Sequence, residues 1–146
     1  MSSFFKSMQI SSSALTAQRI RMNILSANLA NAQTTRTPEG GPYRRQDVVF
    51  AAEPLGSEFG DFLDGSLNAQ LKKVEVVNIH KDMSDPKRVF EPHHIDADES
   101  GYVLKPNVEV MTEMVNMIAA TRAYEANTTA INEAKNAANK ALEIGR

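Results

Sequence analysis

The sequence predicts a mainly α protein with a small β part, in which long N- and C-terminal helices pair as a coiled coil and carry a β-rich middle insert. Apolar residues return every seven positions near both ends of the 146-residue chain, the signature of a helix that buries one stripe against another. Between them lie short Val-, Ile-, Phe- and Tyr-rich runs bounded by Pro, Gly and Asp, which read as strands. The division expected is residues 1–36 for the first helix of the coiled-coil domain, 37–106 for the middle module and 107–146 for the second helix.

The first helix is expected from Phe4 to Ala32. Met8, Leu15, Met22 and Leu29 form its seven-residue row, with Phe4, Leu25 and Ala32 on the adjoining row, which Ser11 and Gln18 interrupt. A helix packed on its own domain satisfies this pattern as well as one packed on a neighbour. Thr35 to Tyr43, TRTPEGGPY, then reads as a loop or turn. Strands are expected at Gln46–Ala51, Val74–His80, Lys87–Phe90 and Gly101–Leu104, and Glu53 to Asn68, which mixes Gly and acids without a period, reads as an irregular loop. Pro106 blocks helix before it, Asn107 offers a cap, and Glu109 faces the positive end of the helix dipole. The second helix is therefore expected from about Val108 to about Glu143, with Gly145 as its stop. Its row is Val110, Met117, Tyr124, Ile131 and Ala138, with Met114, Ile118 and Leu142 beside it. Helices this long span about 45 and 55 Å at 1.5 Å per residue, more than the ~40 Å of a compact chain of this size, so the molecule is expected to be elongated.

Composition narrows the function. Hydrophobic residues are 42 % and charged residues 23 %, with no Trp, which gives a folded chain with a light core. Residues 1–36 hold four cations and no acid, whereas 37–106 hold 8 basic against 13 acidic residues. Four scattered cations do not make the dense basic stripe that nucleic acid requires. Cysteine is absent, which excludes disulfides and thiolate chemistry. No run approaches the roughly 18 apolar residues of a membrane span, and MSSFFKSMQISSS lacks the apolar core of a cleavable signal, so any export is expected to use a dedicated machine. Residues 1–35 contain only three charged side chains, Lys6, Arg19 and Arg21. Ser, Ala, Asn and Gln on the remaining faces suit a helix surrounded by other protein, because they permit close approach without burying charge. A polar, weakly helical tail has the same composition. Because helices this polar depend on packing, both ends are expected to fray in the isolated chain and to order on assembly.

Sites for chemistry are poor. Asp96, Asp98, Ser100 and Gly101 fall at positions one, three, five and six of a calcium-binding loop, but the bidentate Glu of its last position is Asn107, so an acidic turn between strands is the better reading. His93 and His94 are adjacent and point to opposite faces of extended chain, which disfavours joint metal ligation. Phosphate-loop, GxSxG and HExxH patterns are missing. No enzyme activity, cofactor or metal is expected.

The residues themselves carry a resemblance. SALTAQRIRMNILSANLANAQTT, Ser13 to Thr35, resembles the N-terminal signature of bacterial flagellar rod and hook proteins, through Ala14, Leu15, Ala17, Gln18, Asn28, Leu29, Ala30 and Asn31. The C-terminal stretch resembles the matching signature through Glu113, Met114, Ala123, Tyr124, Ala126 and Asn127. YRRQDVVF, Tyr43 to Phe50, and the block Asp85 to Val110 are similar to the proximal rod proteins of the C type. The resemblance implies a non-enzymatic subunit exported by the flagellar type III apparatus without signal cleavage and assembled in the periplasm, with the terminal helices lining the export channel and the rod transmitting torque. Its partners would be copies of itself, other rod proteins, and the membrane-ring and rod-base adaptor proteins. The assembly interface expected is Leu15, Met22, Leu25, Asn28, Leu29 and Asn31 on the first helix, and Met114, Met117, Ile118, Tyr124, Asn127, Ile131 and Leu142 on the second, packed within or between subunits. The competing readings are a secreted coiled-coil effector or export chaperone, which would form a closed oligomer, and a small metal-dependent enzyme built on His93 and His94.

Overall fold

The computed structural model describes residues 2–55 and 71–144. In chain order these form α1 (Ser2–Ala30), β1 (Gln46–Pro54), β2 (Lys72–Lys81), β3 (Lys87–Phe90), β4 (Tyr102–Lys105) and α2 (Val110–Ile144). Most of the loop expected over Glu53 to Asn68, and the stop expected at Gly145, lie outside the described residues; Glu53 and Pro54 themselves belong to β1.

Asn31 closes α1. Its backbone N–H donates to the Ala27 carbonyl at 3.1 Å, and its side-chain amide donates to the same oxygen at 2.9 Å, using that carbonyl's second lone pair. Gly40 and Gly41, both at positive φ, then turn the chain back, so that the Tyr43 N–H reaches the Thr34 carbonyl at 3.0 Å. At the other helix, the Glu109 carbonyl accepts the first bond of α2, from the Glu113 N–H at 3.0 Å. Asn107 does not cap as the sequence suggested: α2 begins at Val110, which puts Glu109 at the cap position, and the Asn107 amide donates instead to Ser84 Oγ at 2.9 Å.

The strands form two separate antiparallel hairpins, β1–β2 and β3–β4. In the first, Val49 pairs with Asn78 and Phe50 with Val76, so Val77 is an extra residue that bulges from the ladder.

α1 lies between α2 on one side and the β1–β2 hairpin on another. Asn28 bonds to Glu113, and the Thr121 hydroxyl lies 3.6 Å from the Met22 sulfur, so position falls on α1 as it rises on α2 and the helices are antiparallel. On the hairpin side the Val74 N–H donates to Ser13 Oγ at 3.2 Å, and Gln46, which pairs with Lys81, bonds to Asn28. From Ser13 to Asn28 a helix rises about 22 Å, and from Val74 to Lys81 a strand covers about 23 Å, so β2 runs alongside α1 in step with it. The small, uncharged residues of α1 therefore meet protein on two sides within its own chain.

The core is light: Ala17, Leu25, Ala32, Val103, Val108 and Ala120 are its buried apolar residues. The innermost line of α1 runs through Ala17, Leu25, Asn28 and Ala32, whereas Met8, Leu15, Met22 and Leu29 are half-buried. Gln18 interrupts that inner line, and its Oε1 is buried without a hydrogen-bond donor among the described residues. On α2, Met117, Tyr124, Ile131 and Ala138 are half-buried as their spacing predicts. Met114, Ile118 and Leu142, expected beside that row, are exposed, as is Val110. The flank that does turn inward carries Glu113, Asn116, Ala120, Ala123 and Asn127, residues whose small size or polarity hides them from an apolar count.

Candidate functional site

Where α1, the start of β1 and the start of α2 meet, a polar cluster forms around two buried side chains, with Arg45 and Tyr43 half-buried at its edge. Asn28 is 0 % exposed and Glu113 1 %. The Asn28 amide nitrogen donates to the Gln46 carbonyl at 2.8 Å and to Glu113 Oε2 at 2.9 Å. Its oxygen accepts from the Gln46 N–H and from the Tyr43 hydroxyl, both at 3.0 Å, so all four of its hydrogen-bonding positions are filled. Arg45 Nε donates to Glu113 Oε1 at 2.7 Å and an adjacent guanidinium nitrogen reaches Asp47 at 3.2 Å. Burial opposes the Arg45 cation, yet its bond to Glu113, the charge of Glu113 and the weaker pairing with Asp47 outweigh burial and raise its pKa. Burial, and then the Glu113 charge, push the Tyr43 hydroxyl above its ordinary range. This arrangement is built to hold segments together; it presents no nucleophile paired with a base.

Beside the cluster, α2 turns an apolar ridge outward. Met111, Met114, Val115 and Ile118 stand at i, i+3, i+4 and i+7, between 49 % and 70 % exposed. Leu29, Met114, Met117, Ile118, Thr121, Arg122 and Glu125 line an open groove of about 580 Å³ along it. Of the interface residues expected from sequence, Leu25 and Asn28 are enclosed within the chain, and the Asn31 amide is spent on the end of α1. Leu15, Met22, Leu29, Met117, Tyr124, Asn127 and Ile131 are half-buried along the two helices, and Met114, Ile118 and Leu142 face outward. Met111 and Val115 were missed, although their spacing with Met114 and Ile118 is helical and visible in the sequence. Arg45 had no such signal, because its partner is 68 positions away.

The acidic segment is a turn joining β3 to β4. Asp96 accepts a hydrogen bond from the Thr35 hydroxyl at 2.7 Å, and Asp98 Oδ1 accepts from the Ser100 and Tyr102 N–H groups, both at 2.9 Å. The Tyr102 N–H, foremost, holds the Asp98 carboxyl below its usual range. Among the described residues no group of three His, Cys, Asp or Glu side chains is placed to hold a metal. No helix among them is long and apolar enough to cross a membrane.

Comparison with known proteins gives this geometry its context. Residues 8–36, most of α1 and its closing turn, match the model of the flagella basal body rod protein family. Residues 99–144, covering β4 and α2, match that of the flagellar basal body rod FlgEFG protein C-terminal region. The flagellar basal-body rod protein FlgC of Bacillus subtilis is 46 % identical over 97 % of this chain and 98 % of its own. That of Borreliella burgdorferi is 44 % identical, covering 96 % of both chains. The chain belongs to the FlgC family of flagellar basal-body rod proteins. The Escherichia coli O6:H1 FlgC, 38 % identical over 94 % of each chain, agrees. Like other FlgC proteins it is a non-enzymatic structural subunit of the basal-body rod, and the two matched regions are the segments that the Asn28–Glu113 contact joins.

Proposed function

We propose that this subunit enters the proximal rod in the periplasm, after type III export, and builds it helically through its terminal helices around the export channel. In this reading residues 1–36 and 107–146 form the coiled-coil unit that assembles, and 37–106 form the module it carries. The antiparallel packing of α1 on α2, with Met117, Tyr124, Ile131 and Ala138 half-buried at seven-residue spacing, supports coiled-coil pairing.

The observation that carries the proposal is the exposed ridge. Four large apolar side chains in two helical turns are a cost in water and an asset in an interface. The ridge meets a different surface of the next subunit, a heterologous contact that does not close and so propagates as a helix able to transmit torque. Neighbours would be copies of itself, other rod proteins, and the membrane-ring and rod-base adaptor proteins at the base. Met114→Glu and Ile118→Glu together test this in cells whose own copy is deleted. The purified variant should keep the helical spectrum and melting temperature of the parent, because both positions are exposed, while rods and motility are lost. Normal motility with both glutamates present would refute the assignment of this face.

A further inference from the structure

We infer that the buried Asn28–Arg45–Glu113 cluster is a register pin: it selects one alignment of α1 against α2, and through that alignment sets Leu29 beside Met114 to shape the exposed groove. The functional part of this inference rests on reading the ridge as an assembly face.

The seam of α2 mixes half-buried Met117, Tyr124 and Ile131 with small Ala120, Ala123, Ala134 and Ala138 and polar Asn116 and Asn127. Apolar and small residues that recur at helical spacing define an axis of contact but discriminate less sharply between alignments one turn apart than a buried charge does. Asn28 and Glu113 discriminate strongly. With the β1–β2 hairpin packed on α1, a slip of α2 by one turn would leave the Glu113 charge without Arg45 and without the Asn28 amide. The pinned residues adjoin the groove directly, since Leu29 follows Asn28 and Met114 follows Glu113, and both line it. Arg45 and Gln46 open β1, so the pin also fixes where the hairpin starts against both helices.

A purely stabilising cluster and a register pin make different forecasts, and the cysteine-free chain allows them to be separated. Met22→Cys with Thr121→Cys reports the native alignment through a short bifunctional thiol cross-linker, because those side chains touch. Met22→Cys paired with Ile118→Cys or with Glu125→Cys reports slips of one turn either way. In the full-length chain carrying Asn28→Leu, Arg45→Leu and Glu113→Leu, the helices should persist, since apolar residues often replace a buried polar set without loss of stability. The native cross-link should then fall about tenfold while the two slipped cross-links rise. Glu113→Gln, which keeps the shape and the bond to Asn28, should retain the native cross-link. Native cross-linking in the triple variant, or loss of its helix content, would overturn the inference by assigning the cluster to stability alone. The ridge reading fails separately: normal rods from Met114→Glu with Ile118→Glu would remove the assembly face and leave the cross-linking result standing.

Discussion

Glu113 carries a charge into a place that water does not reach, and it is tolerated because Arg45 and Asn28 meet its two oxygens. Removing Glu113 from such a set costs more than the set contributes, because the Asn28 amide stays buried with a donor unpaired and half-buried Arg45 loses its closest anion. Glu113→Ala should therefore lower unfolding stability by about 3–5 kcal/mol in chemical denaturation, well beyond the effect of an exposed substitution such as Glu133→Ala. Tyr43 gives the same site a pH signature. Its folded pKa lies above 10.0, because burial and the Glu113 charge disfavour the phenolate, so the unfolded chain loses this proton first as pH rises. That contribution to stability is complete below pH 10.0 and is lost as pH climbs through the higher folded value. Denaturation midpoints of the parent chain should fall across that alkaline window more steeply than those of Tyr43→Phe; equal slopes would contradict the placement of the hydroxyl. Little of this was visible in the sequence. Asn28 stood out only within a recognisable signature, and its partners at Tyr43, Arg45, Gln46 and Glu113 arrive from two other segments that no local period connects.

At the scale of elements the sequence was far more legible. Both helices and all four strands appear close to their expected ends, since prolines and β-branched runs act locally. The rotation of α2 was less legible: Met114, Ile118 and Leu142, expected beside the apolar row, face outward, and the helix turns Glu113, Ala120 and Ala123 inward, residues that an apolar count passes over. The β3–β4 connection depends on a single backbone choice. Gly101 has φ of 79°, and a β-carbon there would lie 2.9 Å from Phe90 Cε2. Gly101→Ala should destabilise this hairpin by about 1–3 kcal/mol, read as earlier exchange of the Glu91 and Tyr102 amides, with the α1–α2 pair unaffected.

For the whole molecule, the low charge of residues 1–35 proved the most informative feature of the sequence. α1 meets α2 and the β1–β2 hairpin within its own chain, and its outer line of Ser12, Thr16, Arg19, Asn23, Ser26 and Ala30 stays exposed yet carries a single charge. α2 exposes its ridge in the same subunit. Helices of this kind draw most of their stability from burial, and a single chain buries only part of what they offer. The central claim is therefore that neighbours complete the burial. Amide hydrogen exchange, compared between the purified chain and the same chain in isolated basal bodies, tests it most directly. The account predicts that the helix ends distant from the Asn28–Glu113 contact exchange rapidly in the free chain, and that both helices become strongly protected along their full lengths in the rod. Equal protection in the two states would contradict it.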